Sequence, residues 1–329
     1  MRRDQLPQHT RPNYVLPQYK AVYVAVSKAA CTSLKWLVAE LQGEDPERFH
    51  SVVSPMVSRD MTIHHRGLFQ RTPTLHSLSD EELEAVSPDN GWFVFSVVRH
   101  PSARFFSAWQ SKMLLREPRY VEKHKDDGWF PRVPQSTADV VEDFERFTLA
   151  AGKHPNGRVM RNRHFMPQWM EAAPERMPYT KVYDTSEIPA LLGDFERHLR
   201  ANGWDGDALR LRQTNETPLR PVRAAFSSPE VRDALNSLFE GDFRAFGYDD
   251  VVPPKLEAGD EYPKPAFEEI GRIIERHERI GDLARNGREA RVALAEAQRA
   301  AKAPAARNGR PRPSGMRAFA GRVRRRVRR

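Results

Sequence analysis

The sequence predicts an α/β fold with a central parallel sheet, and three observations carry that prediction. Apolar runs alternate with amphipathic segments from about residue 19 to about residue 250, the pattern of strands joined by helices. Trp92-Phe93-Val94-Phe95-Ser96-Val97-Val98 is continuous, aromatic and β-branched, as in a strand covered on both faces. Ala21 to Val26 runs straight into the small-residue loop Ser27-Lys28-Ala29-Ala30-Cys31-Thr32-Ser33. The helical segment Leu34-Lys35-Trp36-Leu37-Val38 follows at once.

Residues 1–18 are expected to form an irregular arm, with Pro7, Pro12 and Pro17 and little periodicity. The strand at 92–98 leads to a helix from Ser102 to Leu115, with Ser102 as N-cap behind Pro101. Lys181-Val182-Tyr183 reads as a short strand and Ile188 to Leu199 as the helix after it. Pro229 to Phe246 reads as a helix capped by Ser228, with Pro229 in its first turn. These elements make one domain, 19–250. Residues 251–263, with Pro253, Pro254 and Pro263, read as a linker, and 264–302 as a helical extension. Its stripe of Phe267, Ile270, Ile274 and His277 continues loosely through Ile280, Leu283, Ala284 and Leu294 and breaks at Gly281 and Gly287. Such a helix either packs on the domain or pairs with a second copy as a homodimer contact. Residues 303–329 are Ala/Arg/Pro-rich, a composition expected to be disordered when free.

The chain has 329 residues, 39% of them hydrophobic and 29% charged. It has no apolar run of transmembrane length and no apolar stretch of signal-peptide type at its start. Cys31 is the single cysteine, so no internal disulfide can form, which fits a reducing compartment. The net charge of +9 is uneven, because residues 301–329 carry eleven Lys or Arg and no Asp or Glu, leaving −2 for residues 1–300. Basicity is therefore a property of the tail, and the folded domain is not expected to grip nucleic acid. Gly315 to Arg329 sets Met316, Phe319, Val323 and Val327 among seven arginines. A basic amphipathic helix at an anionic membrane surface, salt-sensitive nucleic-acid binding and a solvated tail are all open readings. The expected location is cytoplasmic, with peripheral association at the inner membrane face as an option. The Arg/Ala-rich style suggests a bacterial source.

Two elements suit anions. The loop 27–33 would aim backbone N–H groups at one spot, at the positive end of a helix. Lys28 adds a mobile charge, and Thr32 and Ser33 add hydroxyls. No glycine lies between Tyr23 and Gln42, and the lysine leads the loop, so this is not a Walker A sequence and an ordinary ATPase or kinase is disfavoured. The second element is Val97-Val98-Arg99-His100-Pro101-Ser102-Ala103-Arg104-Phe105-Phe106-Ser107-Ala108-Trp109. Arg99, at the end of a buried strand, offers a planar fork to phosphate oxygens, and Ser107 a hydroxyl. Open α/β sheets place ligands beyond the carboxyl ends of such strands.

On these residues the chain resembles the sulfotransferases that use 3′-phosphoadenosine-5′-phosphosulfate (PAPS), specifically the family-2 carbohydrate sulfotransferases. Ser27 to Ser33 match their Lys-x-x-x-Thr/Ser-Ser loop for the 5′-phosphosulfate. Arg99, Pro101, Arg104 and Ser107 match their second signature, with His100 where the family usually has Asp. His164-Phe165-Met166-Pro167-Gln168, Thr214-Asn215-Glu216-Thr217, and Asp242-Phe243-Arg244-Ala245-Phe246-Gly247-Tyr248 are similar to later family segments. The resemblance covers roughly 19–250 and implies a P-loop-like three-layer fold. It also implies transfer of a sulfuryl group from PAPS to a hydroxyl of a sugar, glycolipid or other glycoconjugate, leaving 3′-phosphoadenosine-5′-phosphate (PAP).

The implied roles follow residue by residue. Lys28 would stabilise the leaving phosphate. Ser27 to Ser33, with Ala29, Ala30 and Cys31 among them, would bind the 5′ end, and Arg99 and Ser107 the 3′-phosphate. Arg104 would either reach the cofactor or sit solvated on its helix. No metal is required, and no cluster has metal-ligand spacing. Relatives place the general base between the two phosphate elements, where this chain has His50, His64, His65 and His76. His65 is favoured, then His64, while His164 is expected to pack or to line the acceptor cleft. Animal members are commonly anchored in the Golgi lumen, and this chain lacks their N-terminal anchor. A nucleotide-dependent phosphotransferase on a related scaffold, or a non-catalytic PAP-binding scaffold protein, are the alternatives. Acceptor specificity should lie in 44–90 and 116–178, where the chain is loop-rich.

Overall fold

A computed structural model describes residues 1, 3–6, 13–51, 58–212 and 217–302. Thr214, Asn215 and Glu216 of the family-like segment, and the basic tail 303–329, lie outside the described residues. One compact unit is Met1–Arg285 and a second is Asn286–Arg329.

The centre of the first unit is a four-stranded sheet of β1 (Asn13–Leu16), β2 (Ala21–Val24), β3 (Phe93–Val98) and β4 (Lys181–Asp184), in that spatial order. β2, β3 and β4 are parallel, while β1 runs antiparallel to β2 with Tyr14 opposite Tyr23. The sequence places 13–16 in an irregular arm; they form a fully buried strand instead. Four residues between prolines carry too little local pattern to announce a strand. Pairing with β2, after a tight turn in which Lys20 is left-handed, decides it.

Helices cover both faces. On one face lie α1 (Cys31–Leu41) and α2 (Pro46–His50), which pack Trp36, Leu37 and Phe49 with Tyr14, Tyr23, Phe93 and Phe95. On the other, α3 (Asp80–Ala85) and the turn before it bring Leu75, Leu83 and Val86 onto Val15, Val22, Val24 and Val94. α3 starts on a capping box between Ser79 and Glu82.

After β3, α4 (Pro101–Trp109) begins one residue earlier than expected, with Pro101 in its first turn and the cap position moved two residues back, to His100. Proline at the first helical position needs no N–H partner and has the right φ. Ser102 is therefore inside the helix, fully buried and without a hydrogen-bond partner for its hydroxyl among the described residues. The helix then widens into a π turn, Gln110–Leu114. α5 (Pro118–His124), α6 (Thr137–Lys153) and α7 (Gln168–Ala172) precede β4, and α8 (Ile188–Ala201) returns to the sheet with Leu191, Phe195 and Leu199. α9 (Pro229–Phe246) is capped by Ser228 and ends at the left-handed Gly247. α4, α6 and α9 share a second core of Phe105, Phe106, Trp109, Phe144, Phe147 and Phe239.

α10 spans Lys264–Lys302. Within the first unit, its Ile270 and Ile274 join the α4–α6–α9 core. His277 Nδ1 donates to the Leu115 carbonyl at 2.6 Å, and Arg116 pairs with Glu278 at 2.6 Å. Residues 264–285 thus pack on the domain. In the second unit, Val292 and Leu294 are exposed. Among the described residues no helix is long and apolar enough to cross a membrane.

Candidate active site

The parallel pairing of β2 with β3, with Val24 opposite Ser96, makes both strands end at the same edge of the sheet. The loop after β2 and the residues after β3 therefore leave side by side, around a cavity of about 640 Å³. Ser27, Lys28, Ala30, Cys31, Thr32 and Ser33 line it, as do Arg99 and Ser107. His64, His65 and His164 line it too, with Thr217 from the family-like segment.

The loop is bent by two left-handed residues that are not glycine, Lys28 (φ 67) and Ala30 (φ 55). Such conformations cost energy and persist where the surroundings impose them. Ala30 is also the N-cap of α1 and offers no side-chain cap. The opening N–H groups of α1 therefore point out of the helix, as at an anion site. Ala29, expected among the binding residues, is fully buried in the sheet core, and its N–H is turned back to the Val26 carbonyl.

Glu171 of α7, which the sequence did not single out, pins the loop. It is fully buried and accepts from the Ser27 N–H at 2.9 Å and the Ser27 hydroxyl at 3.0 Å. Arg163 pairs with it at 3.0 Å and Arg104 at 3.5 Å. Arg104 neither reaches the cavity nor meets solvent. It is fully buried, donating to the carbonyls of Ser27 at 2.8 Å, Met166 at 2.8 Å and Arg163 at 3.0 Å. It braces the loop against the segment carrying His164.

Arg99 is held by its backbone. Gln168 accepts from the Arg99 N–H at 3.1 Å and donates to its carbonyl at 2.6 Å. Asp242 accepts from the N–H groups of Gln168 and Trp169 at 3.0 and 2.7 Å and so caps α7. His100 packs edge-on against Phe243 and Tyr248, with Nε2 2.9 Å from the Asp250 carbonyl. It serves the structure behind the site.

Lys28 Nζ donates to the Ser111 hydroxyl at 2.8 Å, a residue presented by the π turn. Burial, then Lys112 and Arg99, pull the Lys28 amine down to about 7. Lys112 is buried, paired with Glu117, and lies over the Tyr120 ring. The cavity is strongly cationic: Lys28, Lys35, Arg99, Lys112, Arg119, Arg163 and Arg220 line it against one carboxylate, Glu117. Local composition could not reveal this, because residues 1–300 are net acidic.

His64 has both ring nitrogens engaged. The Lys35 ammonium lies 2.8 Å from Nδ1 and can only donate to it. The proton therefore sits on Nε2, 3.0 Å from the Thr32 hydroxyl oxygen. Partial burial and the charges of Lys35, Lys112 and Lys28 lower its pKa, although the ring stays exposed to the cavity. Neither nitrogen is left to take a proton from an acceptor. His65 is exposed at the rim. In His164, Nδ1 lies 2.9 Å from Asn162 Oδ1 and 3.3 Å from the Tyr120 hydroxyl. Among the described residues no group of three or more His, Cys, Asp or Glu is placed to hold a metal ion.

A family model described as "Sulfotransferase family" matches residues 12–249. No curated protein and no solved structure matches the chain.

Proposed function

The chain belongs to the sulfotransferase family, and on that premise we propose that it moves a sulfuryl group from PAPS to a hydroxyl of a carbohydrate or glycoconjugate. The observation that carries this reading is the meeting of two anion-binding elements in one cationic cavity, the α1 N-terminus with Lys28 and the β3 end with Arg99 and Ser107. One such element would suit any nucleotide. Two, on adjacent parallel strands, suit a nucleotide with anionic groups at both its 5′ and 3′ positions.

The residues present fit such a donor. Thr32, Ser33 and the opening N–H groups of α1 would hold the 5′-phosphate, and Arg99 with Ser107 the 3′-phosphate. Bound PAPS supplies an activated sulfuryl group on a phosphate leaving group. Lys28, which lines the cavity, would stabilise the charge left on the phosphate. The Lys35–His64–Thr32 chain fixes the Thr32 hydroxyl as acceptor of the His64 proton, and its own hydrogen, which meets only the weak Met61 sulfur acceptor at 4.0 Å, would turn to a phosphate oxygen. The acceptor hydroxyl gives its proton to a histidine.

Calorimetric titration with PAP, AMP and ATP tests this reading. Wild-type protein should prefer PAP, and Arg99→Ala should weaken PAP binding roughly 10- to 100-fold, the worth of a charge-assisted hydrogen bond. AMP binding should change little. Equal binding of all three ligands by the wild type would refute the reading.

A further inference from the structure

We propose that His164 is the general base of this site and that Asn162 is the positioning residue that keeps its Nε2 unprotonated. The proposal rests on the sulfuryl-transfer reading above. It departs from the sequence expectation, which put the base at His65 or His64.

The argument is one of proton placement. Asn162 accepts from the His164 backbone N–H at 3.0 Å, so the amide atom there is the oxygen and not the nitrogen. The same oxygen lies 2.9 Å from His164 Nδ1. An amide oxygen has no proton to give, so Nδ1 donates to it at the shorter distance, and the Tyr120 hydroxyl, 3.3 Å from the same nitrogen, is left to turn its own hydrogen elsewhere. A neutral imidazole carries one N–H, and Nε2 is left with its lone pair. Among the described residues Nε2 has no hydrogen-bond partner, and the ring lines the cavity. Burial, together with the nearby charges of Lys112 and Lys28, holds the ring neutral.

The platform is rigid. Arg104, itself fully buried, donates to the carbonyls on either side of His164, those of Arg163 and Met166. Tyr120 stands edge-on against the ring. The other two histidines in the cavity lack this arrangement. His64 has both nitrogens engaged, and no described residue orients the exposed ring of His65.

In the transfer, His164 Nε2 takes the proton of the acceptor hydroxyl as that oxygen bonds to sulfur. The bond from sulfur to the bridging phosphate oxygen breaks, and its electron pair stays on the phosphate beside Lys28.

Two measurements test the proposal, one of them independent of turnover. Nitrogen-15 NMR of the free protein should show His164 as the Nδ1–H tautomer, and Asn162→Ala should release it to a mixture. With PAPS as donor and water standing in for the acceptor, sulfate release should fall about 100-fold or more in His164→Asn, the usual worth of a general base. PAP affinity should stay within about threefold, since the base touches the acceptor rather than the nucleotide. Should His164→Asn lose its fold by circular dichroism, Asn162→Ala carries the test, with an expected fall of about tenfold. An Nε2–H tautomer in the wild type overturns the proposal, as does wild-type sulfate release from either variant. A collapse in His65→Ala with His164→Asn active also overturns it, and assigns the base to His65. If the wild type fails to prefer PAP, the sulfuryl-transfer reading fails and the proposal with it. Preference for PAP with an unaffected His164→Asn sinks the base assignment alone.

Discussion

Raising the pH from 7 to 9 should weaken PAP binding about 50-fold through a single amine, that of Lys28. Its pKa lies at about 7 in the free protein because burial and then Lys112 and Arg99 oppose its charge. Anionic ligand groups bind the ammonium, so above pH 7 binding must first recover a proton. The cost scales as one plus ten to the power (pH − 7), from about 2 at pH 7 to about 100 at pH 9, or about 2.3 kcal/mol. PAP contributes no slope of its own, since the second phosphate pKa is near ~6. Calorimetry in buffers of different ionisation enthalpy reads both the affinity and the proton uptake, which should rise from about half a proton to nearly one. The Cys31 thiol lines the same cavity, so Cys31→Ala is the control that should keep the slope, while Lys28→Met should abolish it. An unsloped wild-type profile, or an unchanged slope in Lys28→Met, would refute the reasoning. The same shift has the opposite sense for folding. The folded-state pKa is depressed from 10.5, so the unfolded chain holds more protons between about 7 and 10.5 and the stability of the free protein rises with pH across that window. Lys28→Met should remove that dependence and raise the melting temperature near pH 7.

Two further outcomes follow from the packing. Glu171→Gln leaves the Arg104 and Arg163 guanidinium groups facing no carboxylate at that point, and urea unfolding should show a loss of about 3–5 kcal/mol, with weaker PAP binding as Ser27 is released. Ile270→Ala, at a fully buried position of the first-unit part of α10, should cost about 2–5 kcal/mol in the same assay, whereas a helix lying free of the domain would show almost no change.

Much of the candidate site was legible because its parts are local. The loop 27–33 announces itself by following an apolar run and opening a helical one. Arg99 stands at the end of a strand that is apolar but for Ser96, and both elements line the same cavity. The misses share one cause, which is contact between residues distant in sequence. β1 is a strand because β2 pairs with it. Ser102 is the exception, a local one: Pro101 opens the helix and the cap position falls on His100. Arg104 looked like a ligand or a surface residue, because nothing nearby in sequence shows that three carbonyls and Glu171 await it. Glu171, Gln168 and Asp242 hold the two anion elements from segments about 70 to 140 residues away, and no spacing rule reports that.

The sequence by itself determined the fold class, the two candidate anion-binding elements and the confinement of net positive charge to residues 301–329. These are statements about neighbours along the chain, where periodicity and side-chain type suffice. Only the tertiary structure decided that seven cations from separate segments share one cavity, and which histidine is oriented with one nitrogen engaged and the other to spare. A proton's position on an imidazole depends on what faces each nitrogen. For His64 that is Lys35 and Thr32, and for His164 it is Asn162 at Nδ1.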